Sequence, residues 1–374
     1  MVVIDRLFWL PHRLMESLGT GLGNMKERSN DRVLVIKFMG MGSIIQFASL
    51  CEEHEVDKSK LTLLTFERHR DLSILFGFCN TKFIRTENLR TLLIDCWRTT
   101  WATRVFQPSL IVDFERCSHA VGCYSKLLAL ASGCPSLSFE SNRTLHTKHH
   151  DIFSVDHLNQ EQLFLKGIER MSRIKYPRKL KVVQVETTKI IVNINASNYL
   201  LARRYPMNSF MQLIELLHQW DPRLIFMLTG SLNESTYVEG LINKVSVPVI
   251  RNVAGKWSLE KLVEELSNCA LFITNDSGPL HLASYLKIST LAIWGPTQPK
   301  HFGYDTKASI TSCSMELSCA PCLRHPNSHP AKACHGQISC MKNLEPSTIF
   351  EKVVGMLTSQ STTRTIYLPA ACQA

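Results

Sequence analysis

From residue 33 onward the chain alternates short, uniformly apolar β-rich runs with amphipathic stretches, and it does so in two series. The first series is VLVIKF (33–38), LTLLTF (61–66), KFIR (82–85) and SLIVDF (109–114), with helical patterns at 68–76, 89–104 and 118–132 between them. Runs that are apolar at successive rather than alternate positions are buried on both faces, and helices between them make the sheet parallel. A basic segment at 172–189 follows and reads as an interdomain connection. The pattern restarts with KIIVNIN (189–195), LIFMLTG (224–230), PVI (248–250), ALFITN (270–275) and STLAIWG (289–295), and helices are expected at 207–220, 234–245, 258–267 and 278–287. The expected fold class is therefore α/β: two doubly wound Rossmann-like domains facing across a cleft, with ligands held where the strands end. The expected division is an amphipathic or flexible segment over 1–30, a first domain over 31–180, a second over 181–345 and a C-terminal helix and tail over 346–374.

Composition narrows the function classes. At 374 residues the chain is too long for one comfortable core. With 45% apolar and 20% charged residues it is a folding chain, not a disordered one. No apolar run approaches the roughly 18 residues of a conventional transmembrane helix. The start, MVVIDRLFWLPHRLMESL, holds Asp5 and Pro11 and no small-residue cleavage site, so it does not read as a secretory signal. Its Leu7, Phe8, Leu10, Leu14 and Leu18 alternate with Arg6, His12 and Arg13, which suits either a docked terminal helix or an interfacial membrane anchor. Forty-two basic against 32 acidic residues leave a net +10, which favours anionic partners: nucleic acid, lipid headgroups or phosphorylated substrates. The charge is spread along the chain without a Lys/Arg stripe interleaved with aromatics, which argues against nucleic acid. Of thirteen cysteines, eight are scattered singly and read as small buried hydrophobes, which points to a reducing, cytoplasmic compartment.

Four segments carry the chemistry. In Asn275-Asp276-Ser277-Gly278-Pro279-Leu280-His281 a buried strand ends, an Asp/Ser pair stands at the N-cap position, and Pro279 suits a first helical turn. Such a helix start is an anion site, and His281 one turn in can face it. Capping alone explains Asp276 and Pro279, but not Ser277, Gly278 and His281 together. The second segment, Asn195-Ala196-Ser197 through Arg203-Arg204-Tyr205-Pro206, also leaves a strand, and two adjacent arginines there can hold a diphosphate or simply form a solvated face. The third, Gly40-Met41-Gly42-Ser43, is a Gly-rich turn without the third glycine of a dinucleotide fingerprint and without Walker spacing. The fourth, Cys319, Cys322, Cys334 and Cys340, is spaced like a structural zinc or iron site, with a redox-labile thiol cluster as the other reading.

Together these segments resemble glycosyltransferase family 9, the bacterial family of the lipopolysaccharide heptosyltransferases, over about residues 32–345. The resemblance implies the GT-B fold and an inverting transfer of a heptose-like sugar that needs no catalytic metal. NDSGPLHLASYLKISTLAIWGPTQP is similar to that family's donor signature, which assigns Asp276, Ser277, Gly278 and His281 to the nucleotide-sugar. NASNYLLARRYP is similar to its phosphate-contacting segment, which gives Ser197, Arg203 and Arg204 that role, and LTGSLNES places Gly230 at the nucleoside pocket. CAPC and the later cysteines resemble a cluster in which some members hold iron. The implied partners are ADP-heptose or a similar donor and a glycolipid or oligosaccharide acceptor, with peripheral contact to an anionic inner membrane face. The acceptor side would be the N-terminal domain, with Gly40, Gly42 and Ser43 on its loop.

The family reads Gly-Asp where this chain has Gly42-Ser43, and the missing Asp is its catalytic base. Serine cannot take a proton unaided near neutral pH. Either the chain is a catalytically silent binder or another carboxylate serves, and Asp113 and Glu115 at the end of SLIVDFE are the expected replacements, Glu115 first for its reach.

Overall fold

The computed structural model describes residues 32–367 except 39, 116–118, 141–149, 155–159, 172–179, 197, 306 and 323–336. The chain divides into two compact units, with the boundary between Arg178 and Lys179. The α/β fold class expected from the alternation is what forms, once in each unit.

In the first unit β1 (Val33–Ile36), β2 (Leu61–Phe66), β3 (Asn80–Ile84), β4 (Leu110–Asp113), β5 (Ser136–Glu140) and β6 (His150–Ser154) make one sheet in the order β3-β2-β1-β4-β5-β6. Every pairing is parallel, and Ile36 of β1 stands level with Leu64 of β2 and Asp113 of β4. The helices are α1 (Met41–Glu53), α2 (Arg70–Leu75), α3 (Leu89–Phe106), α4 (His119–Ser132) and α5 (Gln160–Met171). Leu34, Ile36, Leu64 and Ile111 pack with Val121 and Leu128 of α4. A second group joins Phe47 to Phe78, Phe114 and Phe164 at ring distances of 5.8, 5.1 and 5.6 Å. Gly167 lets α5 approach this group: a Cβ there would sit 2.3 Å from Phe114 Cζ.

The second unit opens with β7 (Leu180–Gln184) and then repeats the strand permutation. Its sheet is β8 (Glu186–Asn193), β9 (Ile225–Leu228), β10 (Ile250–Asn252), β11 (Cys269–Asn275), β12 (Thr290–Ile293) and β13 (Ile310–Cys313), ordered β10-β9-β8-β11-β12-β13 and parallel throughout. Around it lie α6 (Met207–Trp220), α7 (Ser235–Ile242), α8 (Leu259–Asn268), α9 (Gly278–Tyr285), α10 (Ser339–Lys342) and α11 (Pro346–Thr358). Ile190, Val192, Phe226, Leu271 and Ile273 form its core with Phe210, Leu213 and Leu217 of α6 and Ile349 and Val353 of α11. In both sheets the order reverses at the central pair, β1/β4 and β8/β11, which places a crevice beyond those strand ends.

Two stretches differ from expectation. Part of the basic connection and part of the tail are strands: β7 pairs antiparallel with β14 (Thr363–Tyr367). Each alternates, with Val183 and Ile366 buried and Val182 exposed. Neither run buries enough alone to be read as a strand, and the partner lies far along the chain. Cys51, Cys123, Cys134 and Cys269 are buried free thiols, and burial pushes Cys51 and Cys269 up to about 12. Cys79 departs from that reading, being disulfide-bonded. Among the described residues no helix is long and apolar enough to cross a membrane.

Candidate functional site

At the switch point of the second unit, asparagines lace the strand ends together. Asn193, the last residue of β8, donates through Nδ2 to Thr274 Oγ1 (3.1 Å) and Ser277 Oγ (2.9 Å), and its Oδ1 accepts from Asn195 N (3.2 Å). Asn275, the last residue of β11, donates to Asn195 O (3.1 Å) and accepts from Tyr205 N (3.0 Å). Asn195 Nδ2 reaches Thr229 O (3.1 Å) beyond β9. All three amides are buried, where polar groups need partners. Gly230 follows from this closeness, because a Cβ there would lie 2.6 Å from Asn195 Nδ2.

The charged groups sit on this frame. Asp276 is 1% exposed, and its Oδ2 accepts from Arg203 Nη1 (3.2 Å) and Thr297 Oγ1 (2.7 Å). Arg204 lies 4.3 Å over the Tyr237 ring and donates to Ala196 O (3.3 Å). A second set of buried atoms has no hydrogen-bond partner among the described residues: Asp276 Oδ1, Arg203 Nε, Arg204 Nε, Asn195 Oδ1 and Gln298 Oε1. Five such atoms on neighbouring segments are a costly arrangement unless a ligand or ordered water completes it.

Ser277 is the N-cap residue of α9, but its side chain makes no capping bond. Its hydroxyl accepts from Asn193 Nδ2 instead. His281, buried one turn in, bonds through Nδ1 with the Tyr304 hydroxyl. Desolvation lowers its pKa to about 4, with Asp276 pulling it upward and Arg203 pushing it down, so at neutral pH it is uncharged.

In the first unit, Gly40 caps α1 with φ +81, and Gly42 and Ser43 lie in that helix's first turn. β4 ends at Asp113, so the alternation stops before Glu115. Glu115 N donates to Asp113 Oδ1 (2.9 Å), while Glu115 Oε1 accepts from Lys37 Nζ (2.8 Å) and Phe38 N (2.7 Å). The two carboxylates are thus both buried at the β1/β4 ends but not paired on one strand face.

The structure brings Arg203, Arg204, Gly230, Asp276, Ser277, Gly278 and His281 to one set of strand ends. Ser197 and Cys334 lie outside the described residues. Of the other three cysteines, Cys319 is exposed, Cys322 half-buried and Cys340 buried against Gly295. Among the described residues no group of three or more His, Cys, Asp or Glu side chains is placed to hold a metal. Sequence reasoning gave no role to Lys37, Asn193, Asn275 or Thr297. The signal available for the first three was a polar residue at or next to the end of an otherwise apolar run, as in VLVIKF, KIIVN and FITN.

Comparison with known proteins bears on the family and the fold. The model of glycosyltransferase family 9 (heptosyltransferase) matches residues 104–333. Lipooligosaccharide heptosyltransferase 2 of Campylobacter jejuni (serotype O:6) is 26% identical over 219 residues, covering 58% of this chain and 66% of that relative. The crystal structure of a family 9 glycosyl transferase from Veillonella parvula superposes with a TM-score of 0.65 at 13% identity, over 90% of this chain and 99% of that one. The Escherichia coli ADP-heptose LPS heptosyltransferase II structure gives 0.57 at 16% identity, over 87% and 98%. At such identities the two structures establish the fold, whereas the family match over more than half of the chain settles kinship: the chain belongs to glycosyltransferase family 9.

Proposed function

We propose that the chain transfers a heptose-like sugar from a nucleoside diphosphate donor, ADP-heptose or a close relative, to a lipopolysaccharide or other cell-surface glycan acceptor. The observation that carries this reading is the group of buried polar atoms around Arg203, Arg204 and Asp276 that have no hydrogen-bond partner among the described residues. Two guanidiniums and the start of α9 supply the positive charge that a departing diphosphate needs, which assigns the role of a divalent ion to the protein. Asp276 Oδ1 and Asn195 Oδ1 are acceptors suited to sugar hydroxyls. Transfer proceeds with inversion: the acceptor oxygen bonds to the anomeric carbon as the bond to the diphosphate breaks, and a base takes the hydroxyl proton.

For the base we assign the Asp113–Glu115 segment, Glu115 first. Its Oε1 accepts from Lys37 Nζ and Phe38 N. Lys37 then fixes the carboxylate's orientation. The reading puts the reaction in the cytoplasm, at the inner face of the membrane that carries a lipid-linked acceptor. It is tested by incubating the full chain with ADP-heptose and a deacylated lipopolysaccharide core and following ADP release together with glycan mass. A product one heptose heavier supports it, and no turnover with a panel of such acceptors counts against it. A second reading, a silent sugar-nucleotide binder, is favoured by Ser43 and by the Lys37–Glu115 pair. That reading predicts tight donor binding and no ADP release.

A further inference from the structure

The helix α3 is amphipathic the wrong way round for a helix that only covers a sheet. Its inward side holds Leu92, Cys96, Thr99, Thr103 and the ion-paired Asp95. Thr103 Oγ1 bonds back to Thr99 O (2.7 Å), and Asp95 takes Arg85 Nε and Nη2, both at 2.9 Å. Its outward side carries Leu89, Leu93, Trp97, Trp101 and Val105, four residues apart, with exposures of 63%, 59%, 69%, 63% and 64%. Ile94 adds to this face, and α4, tied alongside by Tyr124 OH to Cys96 O (2.9 Å), exposes Leu127 and Leu130. Eighteen residues make a strip about 27 Å long. Single exposed leucines need no explanation, but a continuous strip with two tryptophans does.

The charges on that face identify its occupant. Arg90, Arg98 and Arg104 are exposed among the apolar residues, and the helix's one acid, Asp95, is buried. A symmetric contact with a second copy would set arginines near arginines. A bilayer with anionic headgroups meets both requirements: tryptophan rings settle at headgroup depth, and arginine stems lie along the apolar zone with their heads at phosphate. We propose that α3 is a membrane-docking helix lying in the plane of an anionic lipid surface. The proposal rests on the transfer reading only for its purpose, delivery of the enzyme to a lipid-borne acceptor, because lipid binding requires no sugar.

The test is co-sedimentation of the full chain with vesicles of phosphatidylcholine alone and of phosphatidylcholine with about one third phosphatidylglycerol. The parent is expected to bind the anionic vesicles and to be released by salt. Trp97→Ser with Trp101→Ser should lower partitioning about tenfold or more, with circular dichroism and donor-induced thermal shift unchanged. Replacing Arg90, Arg98 and Arg104 by Gln should remove the preference for anionic over neutral vesicles. A parent that stays in the supernatant overturns the proposal, and so does a tryptophan variant that binds like the parent, since binding would then reside elsewhere. Loss of self-association in that variant with lipid binding unchanged would assign the face to a second copy instead. Donor binding and ADP release are measured without lipid, so failure here leaves the transfer reading standing and the reverse also holds.

Discussion

The two units share a strand order and differ in what they do with their switch points. Beyond β1 and β4, the polar groups answer one another: Lys37 and Phe38 N hold Glu115, and Asp113 holds the backbone of Glu115. Beyond β8 and β11, the framework is equally buried, yet Arg203, Arg204, Asp276 and Asn195 each keep an atom without a partner among the described residues. The same topology therefore builds a closed site and an open-ended one. Leaving buried donors and acceptors unmatched costs stability, so the second arrangement suits the preorganised anion and hydroxyl site proposed for it. The first looks like a carboxylate held in one orientation.

If that contrast is functional, removing charge from the closed site should stop chemistry without touching donor binding. Glu115→Gln is expected to slow transfer by about 10²–10⁴ with donor affinity unchanged. Asp113→Asn should show a smaller loss if Glu115 is the base, and the larger loss if it is not. Steady-state kinetics beside a donor titration separates these, and parent rates in both variants would remove the carboxylates from catalysis. Lys37→Met sharpens the same contrast through stability. It removes the cation from a buried carboxylate, 5% exposed at its side chain, and should lower the unfolding free energy by about 3–5 kcal/mol in denaturant melts at neutral pH. A loss below about 1 kcal/mol would mean that the pair is solvated and the site not closed.

The smallest effect expected is a pH dependence in the open-ended site. His281 has a folded pKa near 4 against an ordinary 6.5, so on acidification the unfolded chain takes up this proton first. Its contribution is complete above about pH 6.5 and is lost as the pH falls toward 4, by at most about 3 kcal/mol. His281→Gln should flatten the stability profile across that window by about one proton. An unchanged slope would show that the imidazole titrates alike in the folded and unfolded chain.

The architecture was legible because it rests on local pattern: uniformly apolar runs such as VLVIKF and ALFITN have few alternatives to a doubly covered parallel sheet. Arg203, Arg204, Asp276 and His281 were legible because each follows an apolar strand closely. Glu115 was legible as a carboxylate at a strand end, but its engagement with Lys37 was not, since that contact spans 78 residues of sequence. The asparagine lacing was missed for a related reason. An amide at the end of a strand looks like a turn residue until the neighbouring strand's register is known, and Asn193 stands level with Thr274 only in the folded sheet. The β7–β14 pair was hidden because two half-polar runs at opposite ends of a unit acquire their alternation only by pairing.

The central claim is that the β8/β11 switch point is built for a nucleoside diphosphate sugar. Calorimetric titration of the full chain with ADP-heptose, beside the same chain carrying Arg203→Ala and Arg204→Ala, tests it most directly. The account predicts one site per chain in the parent and about 2.7 kcal/mol of thermal stabilisation at roughly 100 times the dissociation constant. It predicts a loss of at least about 10² in affinity in the double variant, whose diphosphate partners are gone. A variant that binds ADP-heptose as tightly as the parent, or a parent that binds neither it nor ADP, would contradict the account.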